Sequence, residues 1–328
     1  MIKFPEQQDL VEPVYLDITD KPLPEKLVQS TRYIHFKTIA QGGKALIQSC
    51  KDLHLGRIIC YKQLMPEFAG DLFEQQRFLR EARISAILQH PNTVPTYELG
   101  RDSHGCLFFT MKLVHGYTLR EVLNYRERYD LSQLLEVIVQ VAYALEYAHK
   151  HGVVHRDIKP ENILVGPFGE VLLLDWGLAK VWKKDDVSGL ANSESGLEPS
   201  SDASSKSRLH ITDAAITNMT DQDNLQGTVT YMSPEQLRRD PALDARSDIF
   251  SLGVVLYEIL AGQTPAVADT VREMIDAIQF GAPVKPSMLS RLPIPGLLED
   301  LVMQCLSKSP DERVTDCSSL IRILQEEW

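Results

Sequence analysis

The stretch HRDIKPENILV at residues 155–165, followed by VLLLDWG at residues 171–177, decides the fold. Its two apolar runs, 163–165 and 171–174, are separated by a turn and predict a strand pair. An aspartate, a lysine and an asparagine precede the first run, and another aspartate directly follows the second. Because a surface turn does not require this octad or its spacing, we interpret the cluster as a site.

These residues resemble the catalytic loop H-R-D-x-K-x-x-N and the metal-binding D-F-G segment of protein kinases. The resemblance covers roughly residues 33 to 326 and is strongest to bacterial kinases of eukaryotic type. It implies an α+β, two-lobed protein-kinase-like fold: a small antiparallel β lobe with one helix, a larger mainly α-helical lobe, and ATP between them. The implied activity is transfer of the γ-phosphate of MgATP to serine or threonine hydroxyls of proteins.

The resemblance also implies a role for each polar residue. Asp157 would orient the acceptor hydroxyl and accept its proton, and Lys159 would steady the γ-phosphate. Asn162 and Asp175 would hold Mg²⁺, or Mn²⁺ in its place, since hard cations take carboxylate and amide oxygens. Trp176 replaces the usual phenylalanine and keeps a large apolar side chain behind the cleft.

Upstream, the same resemblance implies a lysine on a strand and a glutamate on the next helix. ICYK at residues 59–62 supplies Lys62, and FLREAR at residues 78–83 supplies Glu81. An ion pair between them would aim the ammonium at the α- and β-phosphates.

The segment aligned with the phosphate-covering loop, residues 39–47, departs from the family pattern. Ala40 and Ala45 replace two glycines, and Gly42 remains in register. Glycine permits positive φ and close approach of the backbone to phosphate, so the alanines are expected to stiffen the loop or hold it off.

Apolar residues are expected around the adenine by the same resemblance. Met111 aligns with the gatekeeper and residues 112–114 with the hinge. The positions assigned to this pocket are Ile39, Ile47, Met111, Val114 and Leu164.

Downstream, GTVTYMSPE at residues 227–235 resembles the substrate-docking segment that ends in A-P-E. By resemblance, Glu235 would pair with Arg313, and Asp248 would brace the catalytic-loop backbone. Thr228 together with Lys159 matches the serine/threonine branch of the family.

A regulatory role is expected for Arg156, the residue type that receives a phosphorylated activation-loop side chain. The candidate acceptors are Thr217, Thr220 and Thr230. A Ser-, Asp- and Gly-rich insert at about 183–226 enlarges this loop, and its composition predicts mobility and autophosphorylation. A salt bridge between an unmodified Arg156 and a loop acid is the alternative.

The remaining pattern predicts one kinase domain at 33–328, preceded by an extension at 1–32, with lobes at 33–114 and 115–328. Strands are expected at 33–39, 57–64 and 106–114. Helices are expected at 72–88, at 131–150 with Ser132 as cap, at 248–261, and later at 270–280, 294–307 and 316–327.

Composition limits the partners. The 328 residues carry a formal charge of −11, which disfavours nucleic acid or an anionic membrane. No apolar run approaches the length of a membrane span, and five scattered cysteines suit a reducing cytoplasm. Oligomeric state is left open.

Two alternatives remain at this point. The altered glycine loop, Cys60 and Ser85 would suit a pseudokinase or nucleotide-binding scaffold with weak or no transfer. A small-molecule kinase on a similar fold would lack the docking segment and the extended loop.

Overall fold

A computed structural model describes residues 32–181, 229–290 and 293–326. The expected N-terminal extension, apart from Arg32, and the insert at 183–226 lie outside these ranges. Within the described residues no helix is both long and apolar enough to cross a membrane.

The first part of the described chain forms an antiparallel sheet in the order β1-β2-β3-β5-β4. Its strands are β1 (Tyr33–Gln41), β2 (Ala45–Asp52), β3 (Arg57–Leu64), β4 (Thr96–Arg101) and β5 (Leu107–Met111). Strand β5 is shorter than the predicted run at 106–114, because the chain after Met111 leaves the sheet to enter the second lobe.

One helix, α1 (Leu72–Ile87), packs against one face of this sheet. Asp71 caps it, accepting hydrogen bonds from the N–H groups of Phe73 and Glu74 at 2.9 and 3.2 Å. Phe78 faces the sheet, with its ring centroid 5.1 Å from that of Phe109. The capped start and apolar inner face fix where α1 lies relative to β3.

The second part is mainly helical. Its helices are α2 (Leu119–Leu123), α3 (Leu131–Lys150), α4 (Pro234–Leu237), α5 (Arg246–Ala261), α6 (Val271–Phe280), α7 (Gly296–Cys305) and α8 (Cys317–Glu326). Helix α5 is buried from Ser247 to Leu260, which explains why its sequence is apolar on nearly every side. The sheet with one helix and the helical second part confirm the predicted two-lobed α+β fold.

The predicted cap of α3 is wrong by two residues. The helix begins at Leu131, so Asp130 rather than Ser132 occupies the N-cap position. Gln133 Oε1 accepts the Asp130 N–H at 3.1 Å, which satisfies a donor that would otherwise be orphaned.

Short strands lie between the two parts. Three of them form one small sheet in the order β6 (Tyr117–Thr118), β8 (Ile163–Val165) and β9 (Val171–Leu173). The other two, β7 (Val153–Val154) and β10 (Lys180–Val181), pair with each other. Gly116, at φ 153°, admits this arrangement, because a Cβ there would lie 2.4 Å from the Val165 carbonyl oxygen. These strands carry the predicted polar residues on the connections at their ends.

Candidate active site

Lys62 and Glu81 meet between the sheet and α1. Lys62 Nζ lies 2.5 Å from Glu81 Oε1, and both side chains are nearly buried. Burial lowers the pKa of Lys62, but the carboxylates of Glu81 and Asp175 more than offset this and raise it. The ammonium is therefore firmly charged at neutral pH, as the predicted ion pair requires.

Asp175 comes from the second polar stretch and joins the same cluster. Its Oδ1 accepts the Gly177 N–H at 3.1 Å, and a Cβ placed on Gly177 would lie 3.0 Å from Asp175 Oδ1 and 3.5 Å from Glu81 Oε2. Burial tends to raise the pKa of Asp175, but Lys62 and the Gly177 amide hold it below its ordinary value. Asp175 sits at φ 59°, a conformation that L residues rarely adopt and that turns the chain sharply after β9.

Asp157, Lys159 and Asn162 form the second half of the site. Lys159 Nζ lies 3.0 Å from Asp157 Oδ2. The Asn162 amide donates to Asp157 Oδ2 at 2.9 Å and to the Asp157 carbonyl at 2.8 Å. The carboxylate is thus held by two groups from its own loop.

His155 connects the two halves. It is fully buried, its Nδ1 accepts the Asp157 N–H at 3.2 Å, and its Nε2 lies 3.0 Å from the Leu174 carbonyl oxygen. Leu174 in turn donates its N–H to the Asn162 carbonyl at 2.8 Å. The loop that carries Asp157 and Asn162 is therefore hydrogen-bonded to Leu174, the residue directly before Asp175.

Asp248, in the first turn of α5, holds the backbone of the catalytic loop. It is fully buried on α5, and its two oxygens accept the N–H groups of His155 and Arg156, each at 2.8 Å. His149 Nε2 lies 2.8 Å from the same carboxylate. Asp248 therefore makes the contacts with the catalytic-loop backbone that the sequence analysis predicted.

The docking segment is anchored by a buried ion pair. Arg313 Nη1 and Nη2 bind the two oxygens of Glu235 at 2.6 and 2.7 Å. Ser233 caps α4, and the side chain of Gln236 donates to the Arg156 carbonyl at 2.8 Å. The segment is thereby tied to the residue that precedes Asp157.

The turn between β1 and β2, which was predicted to cover the phosphates, does not use the positive φ that glycine permits. It is short, with the Gly42 N–H donating to the Ala45 carbonyl at 2.9 Å. Gly42 and Gly43 do not adopt positive φ, and a Cβ on Gly43 would meet nothing within 4 Å. Backbone conformation therefore does not require glycine at these two positions, and the missing side chains leave room for close approach of a ligand.

The predicted adenine residues are partly brought together. Ile47 lies opposite Lys62 across β2 and β3, and Met111 lies opposite Cys60 across β3 and β5. Directly opposed residues project to the same side of a sheet, so Ile47 and Met111 share the face of Lys62. This face is the one turned towards Asp175.

The other predicted adenine residues are placed by their elements. Leu164 lies on β8 and is close to Gly116. Gly116 follows the predicted hinge segment, which contains Val114. Ile39, near the end of β1, is 52% exposed.

The predicted regulatory residues fall into two groups. Thr217, Thr220 and Thr228 lie outside the described residues. Thr230 is buried, so its hydroxyl would become accessible only if the docking segment moved.

Arg156 has a second arginine near it. Burial lowers the pKa of Arg156, the Asp248 carboxylate opposes this shift, and the positive charge of Arg80 on α1 lowers the pKa further. Arg80 was missed by the sequence analysis, because a helix arginine carries no local signal.

A network around Arg120 was also missed. Arg120, on α2, binds Glu161 Oε1 at 2.8 Å and Glu258 Oε1 at 2.6 Å, and it contacts the hydroxyl of Tyr231. Tyr231 donates to Glu258 Oε2 at 2.6 Å. These residues join the docking segment, the catalytic loop and α5, and their distance along the chain hid them.

Two side chains of the site carry oxygen donors that suit a divalent cation. Among the described residues, no group of three or more His, Cys, Asp or Glu side chains is placed to hold a metal. Asp175 is a firmly ionised carboxylate and Asn162 supplies an amide oxygen, which is a donor set for Mg²⁺ that is completed by substrate phosphates. The residues present therefore fit a metal that arrives with a nucleotide.

Comparison with known proteins gives a consistent result. The protein kinase domain family matches residues 33–198 and 202–328. The chain is similar to the serine/threonine-protein kinase PknD of Chlamydia caviae, with 31% identity over 302 residues, which cover 88% of this chain and 30% of the relative. It is also similar to the serine/threonine-protein kinase PknB of Mycobacterium leprae, with 31% identity over 290 residues, covering 87% of this chain and 41% of that protein.

A third relative is the probable serine/threonine-protein kinase PknB of Lactococcus lactis, 31% identical over 297 residues, covering 88% of this chain and 41% of the relative. These relatives confirm the predicted resemblance to bacterial serine/threonine kinases. The chain spans between 30% and 41% of the length of these three relatives.

Proposed function

The chain belongs to the protein kinase family, and from this premise we propose that it is a serine/threonine kinase domain that transfers the γ-phosphate of MgATP to protein hydroxyls. One observation carries the proposal. The ion-paired Glu81 and Asp175 both lie next to Gly177, within 3.5 Å of the position of a Cβ there. The carbonyl of Leu174, the residue directly before Asp175, lies 3.0 Å from the ring of His155, which accepts the Asp157 N–H. Residues from β3, α1 and two loops thus form one site.

In the proposed reaction the acceptor oxygen attacks the γ-phosphorus as the bond to the ADP oxygen breaks. Asp157 orients the hydroxyl and takes its proton. Because Lys159 and Asn162 both bind Oδ2 of that carboxylate, we assign Oδ1 to the hydroxyl. Lys159 lies close enough to Asp157 to stabilise charge on the transferred group, and Lys62 is assigned to the α- and β-phosphates.

Asn162 and Asp175 are the residues proposed to hold the metal. A bound Mg²⁺, or Mn²⁺, would neutralise phosphate charge. The nearby backbone contacts, Gly177 N–H to Asp175 and Leu174 N–H to the Asn162 carbonyl, keep both side chains in position.

The regulation proposed from the sequence is retained. Arg156 would receive a phosphorylated side chain from the loop, with Thr217, Thr220 and Thr230 as candidate acceptors, and Thr228 would help to hold Asp157 and Lys159 in place. The proposed domain boundaries are 33–328, and the five buried free cysteines suit a reducing cytoplasm.

The test is phosphate incorporation from γ-labelled ATP and Mg²⁺ into the protein itself and into a general protein substrate. Wild type is expected to incorporate label, and Asp157→Asn to lose it. Asp300→Asn, the same change at an exposed position of α7, serves as the control and should keep it. Nucleotide binding without any transfer by wild type would instead support a scaffold.

A further inference from the structure

The turn between β1 and β2 is tied to the first turn of α1. Lys44 closes this turn, and its Nζ forms an ion pair with Glu74 Oε1. The Lys44 carbonyl also accepts the Met65 N–H at 3.0 Å, from the segment that joins β3 to α1. The proposed phosphate-covering turn is therefore attached to the helix that carries Glu81.

Glu74 lies on the same face of α1 as Glu81. Seven residues separate them, which corresponds to about two helical turns. Phe78 lies between them on that face and packs against Phe109. Both glutamates are buried, and a buried carboxylate is costly unless it is paired. Helix α1 thus meets the sheet through two lysine–glutamate pairs, one on each side of an aromatic contact.

The two pairs connect different parts of the site to one rigid element. Lys62 is on β3, in the middle of the sheet, whereas Lys44 is on the turn at its edge. An outward movement of α1 that separates Glu81 from Lys62 also carries Glu74 away from Lys44. The turn would then lose its side-chain contact at the moment when the catalytic lysine loses its partner.

We propose that Lys44 and Glu74 are positioning residues that link the phosphate-covering turn to α1, so that the turn is held over the nucleotide when α1 holds Glu81 against Lys62. The inference rests on the proposed function, and it adds to that function a contact that places the turn. With alanine at positions 40 and 45, the turn has fewer glycines to adapt to phosphate. The Lys44–Glu74 contact sets the distance between the turn and the nucleotide instead.

The kinetic experiment uses Lys44→Gln, Glu74→Gln, the double variant and the charge exchange Lys44→Glu with Glu74→Lys. Each single variant is expected to raise KM for ATP about 3- to 10-fold, with kcat changed less than about 2-fold, because the contact orients nucleotide and not the acceptor. The double variant should be no worse than either single, since both remove one interaction. The exchange should recover at least about half of the loss on a logarithmic scale.

Matched controls make the same charge changes nearby. Lys37→Gln lies on exposed β1 and Glu67→Gln on the exposed segment before α1, and both should leave KM unchanged. Single variants that match these controls would overturn the inference. So would effects of the two single variants that multiply in the double.

Amide hydrogen exchange gives a readout that needs no activity. Glu74→Gln should speed exchange both in residues 40–48 and in residues 72–82, while the buried helix α5 keeps its protection. Faster exchange in α1 alone would overturn the link. If wild type transfers no phosphate, the proposed function fails, and the exchange measurement still decides whether the turn and α1 are linked.

Discussion

The buried pair of Glu235 and Arg313 offers the sharpest test of how the docking segment is held. The substitution is Glu235→Gln, which preserves shape and removes the charge. In the protein the guanidinium contacts both carboxylate oxygens at 2.6 and 2.7 Å, and neither side chain is more than 4% exposed. Arg313 also donates to the carbonyls of Ser307 and Arg246, at 2.8 and 2.9 Å.

The magnitude follows from this burial. Breaking a buried ion pair by removing one partner costs about 3–5 kcal/mol, because the other charge is left in a low-dielectric interior. The two backbone acceptors and the glutamine oxygen still satisfy part of the guanidinium, so we expect the lower end, about 3 kcal/mol. The matched control is Asp311→Asn. Asp311 pairs with Arg246 at 2.5 Å but is 86% exposed, and its loss should cost less than about 1 kcal/mol.

The assay is urea unfolding at pH 7, followed by tryptophan fluorescence, to which the buried Trp176 contributes. Burial alone would raise the pKa of Glu235, but Arg313 and Ser247 hold it below its ordinary value. The stabilisation is therefore complete above the unfolded-state pKa of about 4.3, and it is lost as pH falls through the lower folded value. A cost for Glu235→Gln below about 1 kcal/mol, or one equal to that of Asp311→Asn, would refute the reasoning.

Three further predictions follow from the site and the core. Lys62→Met should lower kcat/KM for ATP-dependent transfer by about 100-fold or more in the incorporation assay, whereas Lys37→Met should not; equal activity would contradict the assigned role. Asp248→Asn places an amide N–H₂ against a backbone N–H and should cost about 2 kcal/mol in urea unfolding, together with a lower kcat; an unchanged kcat would show that the loop needs no brace. Burial raises the pKa of Cys60 to about 11 and that of Cys305 to about 12. Native protein at pH 8 should therefore react with Ellman's reagent at fewer than about one thiol per chain, whereas all five cysteines should react in urea. Rapid labelling of the native chain would contradict the packing.

The fold and half of the site could be predicted from local pattern. The octad at 155–162 and Asp175 lie on short connections next to apolar strands, so their neighbours are set within about twenty residues of chain. Helices α1 and α3 follow from apolar periodicity, because a helix that packs against a core must repeat its apolar face, whereas α5 follows from an apolar run on nearly every side, which is typical of a buried helix. The Ser132 cap failed for the same reason that boundaries often fail, since a shift of one or two residues in the first turn selects another capping group.

Sequence alone thus determined the residue types, the order of the elements and the two short polar stretches, because these depend on neighbours along the chain. Tertiary structure decided which distant charges pair: Lys44 with Glu74, and Arg120 with Glu161 and Glu258. A solvated lysine and a buried, paired lysine have the same letter and the same local propensity. Their difference arises only when packing removes water and brings a carboxylate from another element within reach.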